Sequence, residues 1–297
     1  MLRHPSPLRY PGGKQSLSKL LADVIVENNL HDGTVVEPFA GGAGASLQLT
    51  FDELADKLII NDLDPHIFAF WRSVINQTQA LTSKIQRCRV NMATWRACKE
   101  IYNSPVHRNC QLDVAFATFF LNRCNRSGII MGGGPIGGYE QKGKWKLGAR
   151  FNKRDLIDRI ERIASYKERI SVTKTDATTL LKNLAPSAGE RLLVFLDPPY
   201  YNKGQRLYLN SLAHDDHVRL SESLLNNPSY YWVLTYDNTP EIRRLYKSAR
   251  PRAFELSYSA YERRVGKEIM IFDPRLKVPE NLLHNYNCIG KISFSRL

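Results

Sequence analysis

The strongest chemical signal in this sequence is Asp197-Pro198-Pro199-Tyr200, placed directly after the apolar run Leu193-Val194-Phe195-Leu196. Two consecutive prolines remove two N–H donors and hold the chain extended. An acid, an exposed carbonyl and an aromatic face then meet at the C-terminal edge of a buried strand, where open α/β sheets bind ligands. Such a set suits an exocyclic amine on a flat ring. Asp197 accepts one N–H, the Pro198 carbonyl accepts the other, and Tyr200 stacks on the ring. The plainer alternative is a stiff turn with a capping aspartate.

Two further motifs precede it. Val36-Glu37-Pro38-Phe39-Ala40-Gly41-Gly42-Ala43-Gly44 puts glycines between a strand and a helix, so a ligand can approach backbone N–H groups. No Gly-Lys-Ser/Thr follows, and the strict G-x-G-x-x-G spacing is absent, which argues against a Walker loop and a dinucleotide. About twenty residues on, Asn61-Asp62-Leu63-Asp64 ends the next strand. Asp62 is placed to accept hydrogen bonds from ribose hydroxyls, whereas Asp64, before Pro65, reads as a helix cap. Together the two motifs predict an adenosine-containing ligand without its pyrophosphate.

The remaining chemistry is charge. The 297 residues carry 42 Lys+Arg against 29 Asp+Glu, a net +13. Between Arg123 and Arg154 eight basic residues face the single acid Glu140, so +7 falls on one stretch. That stretch includes the run Gly132-Gly133-Gly134-Pro135-Ile136-Gly137-Gly138 and the aromatics Tyr139, Trp145 and Phe151. Cations interleaved with aromatics on flexible backbone suit a basic hairpin over about 128–147 that follows phosphates; a solvated basic face explains the same residues less fully. Arg243, Arg244, Lys247, Arg250 and Arg252 form a second cluster, for which a solvated face is an equal reading.

The elements that must position these groups alternate. Helical periodicity over Lys14–Asn28 is followed by a strand at 34–37, a helix over Ala43–Phe51, a strand at 57–61 and a helix over His66–Val74. Strands resume at 170–172, 192–196, 230–235, 253–257 and 268–272, with helices near 177–184, 215–226 and 239–246. Between them, 81–102, 112–121 and 151–168 read as helical. This predicts an α/β fold with a doubly wound, Rossmann-like sheet built from 1–78 and 169–297, and an inserted helical and hairpin domain at 79–168. The segment after Pro274 carries no pattern and reads as a loosely packed tail.

Composition narrows the class further. At 43% hydrophobic and 24% charged the chain is ordinary globular material, not disordered, collagenous or coiled coil. No run reaches the ~18 apolar residues of a membrane span, and the first apolar run is too short and too charged for a signal peptide. The five cysteines form no CxxC pair, so reduced thiols are expected, with neither disulfides nor a metal site.

In order and content these motifs resemble the Dam-like D12 class of N6-adenine-specific DNA methyltransferases. The matching pieces are Leu8-Arg9-Tyr10-Pro11-Gly12-Gly13-Lys14, then Glu37-Pro38-Phe39 with its glycines, then Asp62, an inserted recognition region, and Asp-Pro-Pro-Tyr. The resemblance implies a Rossmann-like methyltransferase sheet, S-adenosylmethionine as cofactor and double-stranded DNA as substrate. It places Tyr10, Lys14, Glu37, Phe39, Gly41, Asp62 and Asp176 at the cofactor, with Asp197 bordering it, and Asp197, Pro198 and Tyr200 at the reacting amine. The run Phe39–Gly44 is one residue longer than the family form F-x-G-x-G, so which glycine underlies the methionine moiety stays open. The insert at 79–168 becomes the target-recognition domain. There Asn122, Arg123, Asn125, Arg126 and Tyr139 are candidates for reading bases, and Lys142, Lys144, Lys146 and Arg150 for phosphate contacts. The hairpin does not match Dam itself, so no GATC target is implied. A monomer in the cytoplasm of a bacterial, archaeal or phage-infected cell is expected, without metal or membrane. The same acid, carbonyl and aromatic set would also serve N4 of cytosine. A catalytically silent DNA-binding scaffold is a further alternative, against which the intact Asp197 and Tyr200 stand.

Overall fold

The computed structural model describes residues 4–9, 13–105, 110–184, 191–201, 212–226, 228–249, 251–258, 264–278 and 292–295. Its first half opens with a 3-10 turn, Lys14–Leu17, and α1, Ser18–Glu27. Then come β1 (Gly33–Glu37), α2 (Gly44–Phe51), β2 (Ala55–Asn61) and α3 (Pro65–Asn76). The insert supplies α4 (Thr78–Arg87), α5 (Met92–Asn103), α6 (Gln111–Cys124) and α7 (Lys153–Ala164). Alternation returns with β3 (Ile170–Thr173), α8 (Ala177–Asn183) and β4 (Leu192–Leu196). It continues through α9 (His214–Leu225), β5 (Tyr231–Asp237) and α10 (Pro240–Leu245) to β6 (Arg252–Tyr258), β7 (Arg264–Phe272) and β8 (Ile292–Ser295).

The strands form one sheet in the order β3-β2-β1-β4-β5-β7-β6-β8. β3, β2, β1, β4 and β5 are parallel; β7 runs antiparallel to β5 and to β6. All five side chains of β4 are buried, as a central parallel strand covered on both faces requires. The chain order reverses between β1 and β4, and this switch point opens a crevice at their carboxyl ends. The Gly-rich turn follows β1 there, and Asp-Pro-Pro-Tyr follows β4.

Capping fixes where helices begin. Asp64 accepts a hydrogen bond from the His66 N–H with Pro65 at the first helical position, so α3 starts where the sequence predicts. Asp176 does the same for α8 through Thr179.

The insert has no core separate from the sheet's. α6 packs on both α3 and α5, and Phe119 of α6 stacks on Phe70 of α3 with centroids 5.8 Å apart. Phe116, Phe119, Phe120 and Trp95 belong to the same apolar cluster as Leu17, Leu47 and Leu58.

Two expectations are corrected. The 128–147 stretch is no hairpin: among its described residues the only strand-like pairing is an isolated bridge from Pro135 to Asn125. Its form comes from Gln141, whose amide donates to the carbonyls of Ile136 and Gly138 and accepts from the Leu147 N–H. The tail likewise contains β8, which pairs antiparallel with β6. Among the described residues no helix is long and apolar enough to cross a membrane.

Candidate active site

The crevice at the switch point is a pocket lined from the strand ends outward. Pro38 and Phe39 follow β1, Asp62 follows β2, Asp176 follows β3, and Asp197 and Pro199 follow β4. Its far wall comes from the insert, through Tyr102, Asn122 and Gly128–Met131. The insert and the strand ends therefore share one cavity.

At the Gly-rich turn, Gly41 adopts φ +44°, a left-handed conformation in which a side chain is strained. Its N–H donates to Asp62 Oδ2 at 2.8 Å and its carbonyl accepts from the Trp71 indole at 2.9 Å. Gly41 thus joins β1 to the acid of the next strand. Asp62 Oδ1 accepts from the Asp64 N–H at 2.9 Å, so one lone pair on each oxygen is used and the carboxylate keeps further acceptor capacity. Burial, reinforced by the Asp64 charge, pushes the Asp62 carboxyl up to about 7 despite those two amides.

Glu37, at the end of β1, is 5% exposed, and its buried Oε2 has no hydrogen-bond partner among the described residues. Burial pushes it up to about 8; Ser46 beside it favours the charged form, while the Asp197 and Asp62 charges oppose it. A carboxyl oxygen in this state lacks a donor. Asp176 is held below the ordinary carboxylate range: burial acts to raise it, but hydrogen bonds from Thr178 and Thr179 outweigh that.

Asp197 is the meeting point of the second half of the site. Lys14 Nζ lies 3.0 Å from Asp197 Oδ1, and the Thr235 hydroxyl donates to the same oxygen at 2.7 Å. Lys14 also donates to the Tyr200 hydroxyl at 3.0 Å and sits 3.4 Å from Glu268 Oε2. The Tyr200 hydroxyl in turn donates to Glu268 Oε1. Behind the turn, Asp237 accepts the Tyr201 N–H at 2.9 Å. Asp197 and Pro199 line the pocket whereas Tyr200 does not, so the turn separates the pocket from the Lys14–Glu268 side. Thr235, Asp237 and Glu268 carry no motif in the sequence. Only their positions on β5 and β7, whose register pairs Asp237 with Glu268, bring them to the turn.

The basic insert divides into interior and surface. Asn122 is 1% exposed; its amide accepts the Arg9 N–H and donates to the Arg9 and Gly128 carbonyls. Asn125 is fully buried, accepting from the Trp95 indole and donating to the Ile129 and Gly133 carbonyls. Arg123 donates to the Arg150 carbonyl, and burial next to Arg9 and Arg159 pushes its pKa down to about 9. These three candidate base readers spend their polar groups inside the fold, because α6 runs through the core rather than along the surface. Arg126, Lys142, Lys144, Lys146 and Arg150 are exposed, as are Tyr139 and Trp145. Tyr10 lies outside the described residues. Among the described residues no cluster of His, Cys, Asp and Glu could hold a metal ion.

A family model described as D12 class N6 adenine-specific DNA methyltransferase matches residues 10–263. No curated protein matches the chain. Similar solved structures include the rRNA methyltransferase aviRa from Streptomyces viridochromogenes, at 14% identity and TM-score 0.37, over 90% of this chain and 87% of that one. A protein from Streptococcus mutans assigned as a methyltransferase, solved with SAH, is 6% identical at TM-score 0.35, over 86% of this chain and 96% of that one.

Proposed function

The chain belongs to the D12 class of N6 adenine-specific DNA methyltransferases, and we propose that its Asp-Pro-Pro-Tyr turn methylates an adenine flipped out of a DNA duplex. The family's reaction moves a methyl group from S-adenosylmethionine to adenine N6 in DNA, so cytosine methylation and a silent scaffold are set aside. The pocket's lining suits this cofactor, as does Glu37, buried directly behind the lining residue Pro38. Glu37 Oε2, buried and without a donor among the described residues, calls for a cationic N–H group such as an amino-acid ammonium. Asp62 keeps acceptor capacity for ribose hydroxyls, and Phe39, Leu63 and Ile67 offer apolar walls to a nucleoside. When bound, S-adenosylmethionine supplies a methyl group activated by its sulfonium.

The chain's own residues have to make N6 a nucleophile. Its lone pair is delocalised into the ring, so the amine is weak. Asp197 and the Pro198 carbonyl accept its two N–H bonds and favour a pyramidal nitrogen aimed at the methyl group; positioning carries most of the catalysis. The N6 proton becomes acidic only as the new N–C bond forms and the methyl–sulfur bond breaks, and it then leaves to Asp197, which already accepts that N–H. Tyr200, on the side of Asp197 away from the pocket, is placed to stack on the base.

In a duplex N6 is out of reach of such a pocket, and turning the base out costs a few kcal/mol. The exposed Arg126, Lys142, Lys144, Lys146 and Arg150 offset that cost by phosphate contacts. A monomer acting alone fits this reading, since one chain carries both pocket and basic surface. The observation that carries the proposal is Asp197, on the boundary between the pocket and the Tyr200 side. Incubating the protein with S-adenosylmethionine and unmethylated duplex DNA, then digesting to nucleosides, should yield N6-methyladenosine. Methylation of single strands alone would overturn the duplex reading.

A further inference from the structure

Glu268 stands on β7, outside every motif of the sequence, and is 2% exposed. A carboxylate buried this deeply needs compensation, and it receives it from two residues of the proposed reaction centre. The Tyr200 hydroxyl donates to one oxygen, and the Lys14 ammonium lies 3.4 Å from the other. Those partners are themselves joined, because Lys14 donates to the Tyr200 hydroxyl at 3.0 Å and pairs with Asp197. The result is a closed circuit in which the Lys14 ammonium is shared by two carboxylates.

The sharing has a chemical consequence. Thr235 already occupies a lone pair on Asp197 Oδ1. An ammonium held by Asp197 alone would draw off more of the remaining electron density and leave a poorer acceptor for an amine N–H. A second carboxylate divides that pull. Glu268 also fixes the Tyr200 ring at its far end, since the hydroxyl both accepts from Lys14 and donates to Glu268.

We infer that Glu268 is a positioning residue for methyl transfer: it orients the Tyr200 ring through its hydroxyl and shares Lys14, so that Asp197 stays available to the substrate amine. It acts through these two residues and touches no reacting atom. The inference rests on the roles proposed above for Asp197 and Tyr200.

Two small changes test it. Glu268→Gln keeps the shape and an acceptor for the Tyr200 hydroxyl but removes the charge that shares Lys14. Tyr200→Phe removes one oxygen, the handle itself. Single-turnover methyl transfer from S-adenosylmethionine into unmethylated phage DNA is measured alongside the dissociation constants for cofactor and DNA. Each change should slow the transfer step about 10- to 100-fold while both dissociation constants hold. The double variant should lose less than the product of the two single losses, because both changes act on one circuit through Lys14.

A transfer rate for Glu268→Gln within about twofold of the parent, or losses that multiply in the double variant, overturns the inference. If Glu268→Gln does not fold, Tyr200→Phe decides alone: a parental rate overturns, and a slowed rate with unchanged DNA affinity supports. Asp197→Ala run in parallel separates the two levels. Its retention of turnover would overturn the reading of the turn; its loss of turnover beside a parental Glu268→Gln would overturn the role of Glu268 only.

Discussion

Lys14 Nζ and Asp197 Oδ1 lie 3.0 Å apart, closing 183 residues of chain into one contact between the first helical turn and the end of β4. Lys14 is 4% exposed. Burial alone would favour the neutral amine, but the charges of Asp197 and Glu268 outweigh it and hold the Lys14 pKa above that of an ordinary lysine. The first helical turn is thereby fastened to the Asp-Pro-Pro-Tyr turn.

Replacing Lys14 by methionine leaves two carboxylates facing each other without their shared cation. Removing one partner of a buried pair costs about 3–5 kcal/mol, well above the ~0–1 kcal/mol of an exposed pair. Urea unfolding of Lys14→Met should show a loss in that range, and Lys14→Met with Glu268→Gln should recover part of it. A loss under about 1 kcal/mol would mean that the pair behaves as a surface one.

Asp197→Ala should abolish turnover, with a fall of at least about 10²-fold, while leaving DNA affinity nearly intact, because the carboxylate serves the transferring amine rather than the duplex. Filter binding beside the methylation assay reads both. A matched fall in affinity and turnover would place Asp197 in binding instead.

Glu37 and Asp62 make a prediction with a definite sign. Their carboxyls are pushed up to about 8 and about 7, so the folded chain binds these protons more tightly than the unfolded chain does. Their contribution is full below the ordinary carboxylate range and is lost as pH rises through about 7 to 8. Buried His217, whose pKa is lowered, works in the opposite sense, so the difference between parent and variant is the clean quantity. Glu37→Gln should flatten the decline in melting temperature across this window. A cationic donor placed on Glu37 lowers its pKa, so cofactor binding should release a proton and tighten toward pH 8. Calorimetry in buffers of different ionisation heat measures that release, and zero protons exchanged would contradict the assignment.

Much of this was legible in the residues, for physical reasons that differ by element. β4 stands out because a doubly covered parallel strand must be apolar throughout, and its bounds, Leu192–Leu196, are those the sequence predicts. Asp64 is legible because capping is a local hydrogen bond; Asp176 caps α8 in the same way, a role its residue type did not announce. β8 escapes because Ile292-Ser293-Phe294-Ser295 is too short for alternation to register, and only pairing with β6 defines it. Glu268 escapes for another reason. A lone acid in an apolar strand signals a buried partner, but the partners, Lys14 and Tyr200, lie far away in sequence. Asn122 and Asn125 show the opposite case: polar residues at a helix end beside a basic loop suggest readers, while their amides are engaged in tertiary hydrogen bonds that no sequence pattern announces.

The brace role of Asn125 can be tested directly. Asn125→Ala would orphan the Trp95 indole and the Ile129 and Gly133 carbonyls, all of which its amide now satisfies. An unsatisfied buried group costs about 1–3 kcal/mol, so a loss of at least about 2 kcal/mol is expected. Hydrogen exchange should rise first in peptides covering 126–137. Unchanged exchange there, with only DNA binding lost, would restore Asn125 as a base reader.

The exposed lysines carry the opposite expectation: little effect on folding and a large one on salt dependence. Taking one lysine away from a phosphate should reduce the slope of log affinity against log salt by about 0.9, so Lys142, Lys144 and Lys146 changed together to glutamine should flatten it by up to ~3. The three are not equivalent. Lys142 is ion-paired with Glu140 at 2.6 Å, both largely exposed, so Lys142→Gln removes a cation and uncovers an anion beside the duplex. Lys144 lies over the Trp145 ring and Lys146 donates to the Gln141 carbonyl, and neither shields an acid among the described residues. Lys142→Gln should therefore weaken binding most of the three, and Glu140→Gln added to it should restore part of the loss. Anisotropy of labelled duplexes across a potassium chloride series measures every slope, and the weakening should be uniform across sequences, as binding through phosphate requires.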